Sequence, residues 1–176
     1  MGESRDEGTR PGGRFVLHRF NGYEEYRLDT AEVRVIRSYD GDPDAEVTVW
    51  FEVRADPVAA RRCEDTADAG TAPSAEVGVA MTADGADIDR LVGRTFLMPG
   101  AAEGEDSAMS LLYYFEHEPL RDNRITVLSR DGGLLRLRWT GECEDVNFYD
   151  GSKAPTRVEI EGEFLFRDAD GRPPAP

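Results

Sequence analysis

The sequence predicts a single all-β domain, an antiparallel sandwich or flattened barrel of about eight to ten strands with at most one short helix. Three observations point there. Apolar and polar residues alternate at period two over most of the chain, Asn-Gly and Asp-Gly pairs punctuate the runs, and helical spacing is confined to one short stretch. A chain of 176 residues has the length of one domain able to bury a core of its own. Residues 1–13 are charged and glycine-rich, and the C-terminal segment ends in DADGRPPAP. The expected organisation is therefore a disordered tail over 1–13, a β domain over 14–167 and a loose tail over 168–176.

In chain order, strands are expected at RFVLHRF, EVRVIRSY, AEVTVWFEV, EVGVAM, GRTFLM, LLYYFEHE, NRITVLSR, LLRLRWTGEC and TRVEIEGEFLF. In AEVTVWFEV, Val47, Val49, Phe51 and Val53 share one face, while Glu46, Thr48, Trp50 and Glu52 share the other. In TRVEIEGEFLF the apolar parity carries Val158, Ile160, Phe164 and Phe166, and the opposite one Glu159, Glu161 and Glu163. Antiparallel pairing with LLRLRWTGEC sets Arg136 and Arg138 against those glutamates as a solvated face. Asn21-Gly22, Asp40-Gly41 and Asp131-Gly132-Gly133 read as hairpin turns. ADGADIDRLV is the one helical stretch, with Asp87 or Asp84 as N-cap and Ile88, Leu91 and Val92 as its apolar edge. Two polar segments, 54–75 and 98–110, are long for a compact domain, and the first has room for a helical turn around Val58 to Cys63. The expected core is Val47, Val49, Phe51, Val53, Ile125, Val127, Leu135, Leu137, Trp139, Val158, Ile160, Phe164 and Phe166.

Thirty-six acidic against twenty-one basic residues give a net charge of −15. Such a field repels phosphate backbones and anionic bilayers, which argues against nucleic-acid and membrane partners. The N-terminus lacks the apolar core of a signal peptide and nowhere do eighteen apolar residues run together, so the chain reads as soluble and cytoplasmic. Cys63 and Cys143 stand in no metal-binding or redox spacing, and Cys143 shares the buried parity of Leu137 and Trp139.

The stretch DVNFYDGSKAP, from Asp145 to Pro155, concentrates the polar residues with chemical potential between two strands. Asp145, Asn147, Tyr149, Asp150 and Lys153, the one lysine of the chain, are the candidate ligand-binding residues there, joined by Trp50, an aromatic on a polar strand face. The acidic spacing resembles a calcium loop, but an extra residue separates Asn147 from Asp150 and no helices flank it. Asp40-Gly-Asp42-Pro-Asp44 has alternating carboxylates but is hairpin-like. Glu116-His117-Glu118 cannot converge on one ion from a single strand, because alternate residues point to opposite faces. No nucleophile elbow, cysteine–histidine pair or phosphate loop is present, which points away from an enzyme. The expected function is a non-catalytic binding or protein-interaction module with no cofactor; the alternative is a small-molecule or metal-binding site, hydrolytic in one version and calcium-binding in another, built at one end of the sandwich on the 145–155 loop.

Overall fold

The structure, a computed structural model, describes residues 11–37, 47–98 and 110–173. Most of the expected N-terminal tail, the last three residues of the expected C-terminal one, the Asp40–Asp44 loop and nearly all of segment 98–110 lie outside the described residues. Ten strands are described: β1 (Gly13–Arg19), β2 (Gly22–Arg37), β3 (Val47–Arg61), β4 (Ser74–Met81), β5 (Thr95–Met98), β6 (Ser110–Tyr113), β7 (His117–Pro119), β8 (Arg121–Asp131), β9 (Leu134–Cys143) and β10 (Thr156–Arg167), with one helix, α1 (Ile88–Leu91). They form one sheet in the order β5-β8-β9-β10-β1-β2-β3-β4-β6-β7. The sheet curls, so that its inner face becomes a single core; Phe51 of β3 meets Phe96 of the edge strand β5 with ring centroids 5.7 Å apart. The fold is thus all-β and antiparallel almost throughout, in the flattened-barrel form.

All thirteen residues of the expected core are buried. Trp139 is the largest fully buried side chain, and its indole N–H donates to Asn123 Oδ1 at 2.9 Å, as a buried indole requires. On the outer face Arg136 and Arg138 both reach Glu161, at 3.1 and 3.2 Å. Trp50 lies between Arg34 of β2 and Gly78 of β4 in the ladder; a Cβ at Gly78 would come within 2.6 Å of its ring. The indole therefore packs over the neighbouring glycine and shields its backbone.

One closure is unusual. β1 begins at Gly13, opposite Gly162 of β10, and just beyond that point β10 and β2 pair directly and in parallel, Phe166 opposite Val33. β1 is a wedge driven between two longer strands, and its first residue is crowded by the β10 backbone and a Leu28 methyl of β2.

The structure departs from the sequence reading in three places. β2 starts at Gly22, well before EVRVIRSY, because its pairing with β3 carries register shifts around Tyr26, Leu28 and Thr30. These bulges flip the inward parity from Glu24, Tyr26 and Leu28 to Ala31, Val33 and Val35, which hides the period from a sequence scan. The helical turn expected at Val58 to Cys63 is instead the end of β3, which runs to Arg61 and is followed by a 3₁₀ turn at Glu64–Thr66. LLYYFEHE is not one strand but the hairpin β6–β7, with Tyr113 opposite His117. Tyr114, which an unbroken strand would place on one face with Glu116, enters the core instead. Helix α1 forms where expected, the Asp89 amide donating to the side chain of its N-cap Asp87, and Ile88 and Leu91 pack into the core.

Candidate functional site

One end of the barrel is closed by polar chemistry. Arg19, the last residue of β1, keeps the inward parity of Phe15 and Leu17, so its side chain enters the core and is fully buried. Glu24 on β2 does the same two residues before Tyr26. A buried charge is tolerated only when paired and saturated with hydrogen bonds, and both groups meet that condition. The Arg19 guanidinium uses all five of its N–H groups. Nε and Nη2 grip Asp145 at 3.1 and 2.8 Å, Nη1 and Nη2 grip Asp65 at 3.0 and 2.8 Å, and Nη1 also reaches Glu24 at 3.0 Å. Two of these contacts are bidentate forks.

The carboxylates are satisfied in turn. Asp145 Oδ2 accepts from the Thr156 hydroxyl at 3.0 Å and its Oδ1 from the Asn147 amide at 3.2 Å. Glu24 Oε2 accepts from the hydroxyls of Tyr26 and Tyr114 at 2.5 and 2.9 Å, and Glu24 Oε1 from Thr66. Asp65, the one member partly open to water, accepts from the side-chain amides of Asn21 and Asn147 at 2.9 and 3.1 Å. Arg62 extends the set outward, donating to the Tyr114 hydroxyl at 2.9 Å and to the Thr71 carbonyl at 2.7 Å.

These contacts set the acid–base properties. Burial disfavours the Arg19 charge, but the bonds to Asp145, Asp65 and Glu24 outweigh it and hold the guanidinium above its usual pKa. Burial and then Glu24 push the Tyr26 phenol up, and burial is the main cause that takes Tyr114 to about 12. Burial alone would raise Asp65, yet the hydrogen bonds from Arg19, Asn147 and Asn21 bring it down from 3.8 to about 2. A carboxyl depressed in the folded state contributes stability that is complete above its unfolded pKa and lost as pH falls through the folded one. The stability gap between the native chain and Asp65→Asn is accordingly expected to be widest above about pH 4 and to close toward pH 2, as read from urea midpoints at several pH values.

Asp145 and Asn147 of the 145–155 loop thus face the network, with Asp145 engaged on Arg19 and Asn147 on Asp65. Val146 is buried in the core, and the Phe148 amide donates to the Asp145 carbonyl at 2.9 Å. Tyr149 packs with a buried hydroxyl that makes no well-formed hydrogen bond, close to the Phe115–Glu116 backbone, and burial pushes its pKa to about 12. Asp150 is exposed and closes a local turn by accepting from the Ser152 amide at 2.9 Å. Lys153 sets its ammonium 5.2 Å from the ring centres of both Phe20 and Phe148, which meet edge-on at 5.5 Å. Asp145 and Asn147 share the network, Lys153 joins Phe20 and Phe148, and Trp50 joins neither group, since it lies on the outer face of β3.

His18 contacts Glu159 at 3.4 Å on the outer sheet face, and His117 lies exposed against the Tyr113 ring. Glu24, Asp65 and Asp145 converge on a guanidinium, and among the described residues no group of three or more His, Cys, Asp or Glu has the arrangement of a metal site. Cys63 and Cys143 are both free and buried, Cys143 with its thiol held up at about 12 chiefly by burial. No helix among the described residues is long and apolar enough to cross a membrane.

Sequence reasoning singled out Asp145 but missed Arg19, Glu24, Asp65, Thr66 and Tyr114. The available signal was parity: Arg19 follows Phe15 and Leu17, and Glu24 precedes Tyr26 and Leu28, at positions where only a saturated charge is tolerated. Compared with protein-family models, curated proteins and solved structures, the chain matches none of them.

Proposed function

We propose that this protein is a non-catalytic binding module that engages a protein partner through the barrel end closed by residues 145–155. The observation that carries the reading is the crown of Phe20, Phe148 and Lys153 on a locked base. Phe20 is 41% exposed although it belongs to the tight β1–β2 turn, and its ring is paired with Phe148 and capped by the single lysine. Aromatic side chains ringed by polar groups are the usual composition of an interface centre, and Asn147 and Asp150 supply such a rim here. The Arg19 network holds the loop before any partner arrives, which lowers the ordering cost of association. The net charge of −15 steers the chain toward a basic partner surface.

The alternative, a cation held by Asp145, Asn147 and Asp150, would need Asp145 to abandon Arg19, leaving a buried guanidinium short of partners. Its melting temperature should therefore not move with millimolar calcium or EDTA. Free thiols at Cys63 and Cys143 fit a reducing, cytoplasmic setting.

The test is co-purification of the full chain from its native host, beside Phe20→Ala/Phe148→Ala. Truncating two interface aromatics is expected to weaken a captured partner by about thirty-fold or more, with little change in melting temperature because the crown lies outside the core. A chain that stays alone and monomeric, or a partner held equally by the variant, refutes the reading.

A further inference from the structure

At the end of the barrel opposite Arg19 the described residues line a cavity of about 830 Å³, between the ends of β2, β3, β8 and β10 and the start of α1. Its floor is apolar: Val35, Val47, Ala86, Ile88 and Phe166 line it, each nearly buried by the core beneath. Its rim is charged, with Asp84, Asp87, Asp89 and Asp168 against Arg37 and Arg130. Cavities of this size at barrel mouths, apolar with a few converging polar groups, are the usual form of small-molecule sites.

The rim favours one sign of charge. Arg130 is neutralised by Asp89 at 2.7 Å, and Arg37 faces Asp170 at 3.5 Å. Among the described residues Asp84 is paired with Arg90, while Asp87 and Asp168 accept backbone N–H groups, from Asp89 and from Asp170 and Arg172 respectively. A carboxylate has about four lone-pair sites, so Asp87 and Asp168 keep accepting capacity and an uncompensated negative charge beside an apolar floor. We infer that this cavity binds a small amphipathic cation, an ammonium group on an apolar body, with the body on Val47, Ile88 and Phe166 and the ammonium at Asp87 and Asp168. This site is independent of the crown at the other end, and either can fail without the other.

Three probes of one skeleton test it: 3-phenylpropylammonium, 3-phenylpropanol and 3-phenylpropanoate, titrated at fixed ionic strength and followed by amide chemical shifts of the full chain. The expected result is saturable shifts centred on Val47, Ile88 and Phe166, tightest for the ammonium and at least about ten-fold weaker for the carboxylate, as two unpaired rim charges imply. Asp168→Asn should cost the ammonium up to about five-fold and leave the alcohol unchanged. Ala83→Trp and Ala169→Trp, two separate rim positions, should each block all three probes. No binding by any probe, equal binding of ammonium and carboxylate, or binding that survives both tryptophans overturns the inference.

Discussion

Arg19→Met is expected to lower the stability of the domain by about 3–5 kcal/mol, the cost of leaving buried carboxylates without their cation. Glu24 and Asp145 have no exposed side-chain surface, so water cannot replace the lost donors. At about 2–4 °C of melting temperature per kcal/mol for a domain of this size, the melting point should fall by roughly 6–20 °C. Arg19→Lys should recover only part of the loss, because an ammonium has three donors and cannot make two bidentate forks at once. Arg19→Met/Glu24→Gln/Asp145→Asn should be more stable than Arg19→Met alone, since the cost lies in the uncompensated charge. Thermal and urea unfolding of the four proteins checks the order; an Arg19→Met variant as stable as the native chain would show that the network holds nothing.

Gly13→Ala carries the second large effect. Gly13 has φ +146°, and a Cβ there would lie 2.5 Å from the Glu161 carbonyl oxygen, 2.6 Å from Gly162 Cα and 2.8 Å from a Leu28 methyl. Two of those three atoms are backbone and cannot swing aside. Backbone strain of about 1–3 kcal/mol adds to overpacking of about 1–3 kcal/mol, so a loss of roughly 2–6 kcal/mol is expected. Gly162→Ala meets the same crossing from the other strand, with 2.6 Å to the Leu28 methyl and 2.7 Å to the Gly12 carbonyl oxygen, but without a positive φ. It should cost less. Urea unfolding ranks the two, and amide exchange should show β1 opening first in Gly13→Ala.

The strands most fully legible in the sequence are β9 and β10, whose mutual register is regular. β9 and β10 pair without a shift from Thr156–Cys143 to Leu165–Leu134, and every apolar residue of their inward parity is buried as expected. Where bulges interrupt the ladder, as between β2 and β3, the alternation is broken and the strand disappears from the pattern. The LLYYFEHE hairpin was hidden for a related reason, since its turn, Tyr114 to Glu116, contains no glycine, proline or asparagine to mark it. The loop at 145–155 stood out because its residue types are concentrated. Its role did not, because Arg19 and Asp145 are 126 positions apart and nothing local announces their meeting. Composition showed the carboxylates; only the folded sheet shows which one faces a guanidinium.

The wedge position of β1 has a consequence for synthesis. The hairpin of β1 and β2 leaves the free edge of β1, with its unpaired N–H and C=O groups, for β10, whose pairing residues follow about 145 positions later, Gly13 with Gly162 and Leu17 with Val158. At translation rates of about 5–20 residues per second, that edge waits roughly 7–30 s for its partner. Until then the ribosome-bound chain has a seam with no covering strand, the condition under which nascent β proteins recruit chaperones or pair with a neighbouring copy. Contacts so distant in the chain also make refolding slow. A circular permutant that joins residue 167 to residue 13 and opens at an exposed turn would bring these strands together early, and should emerge from translation with less aggregation than the natural order.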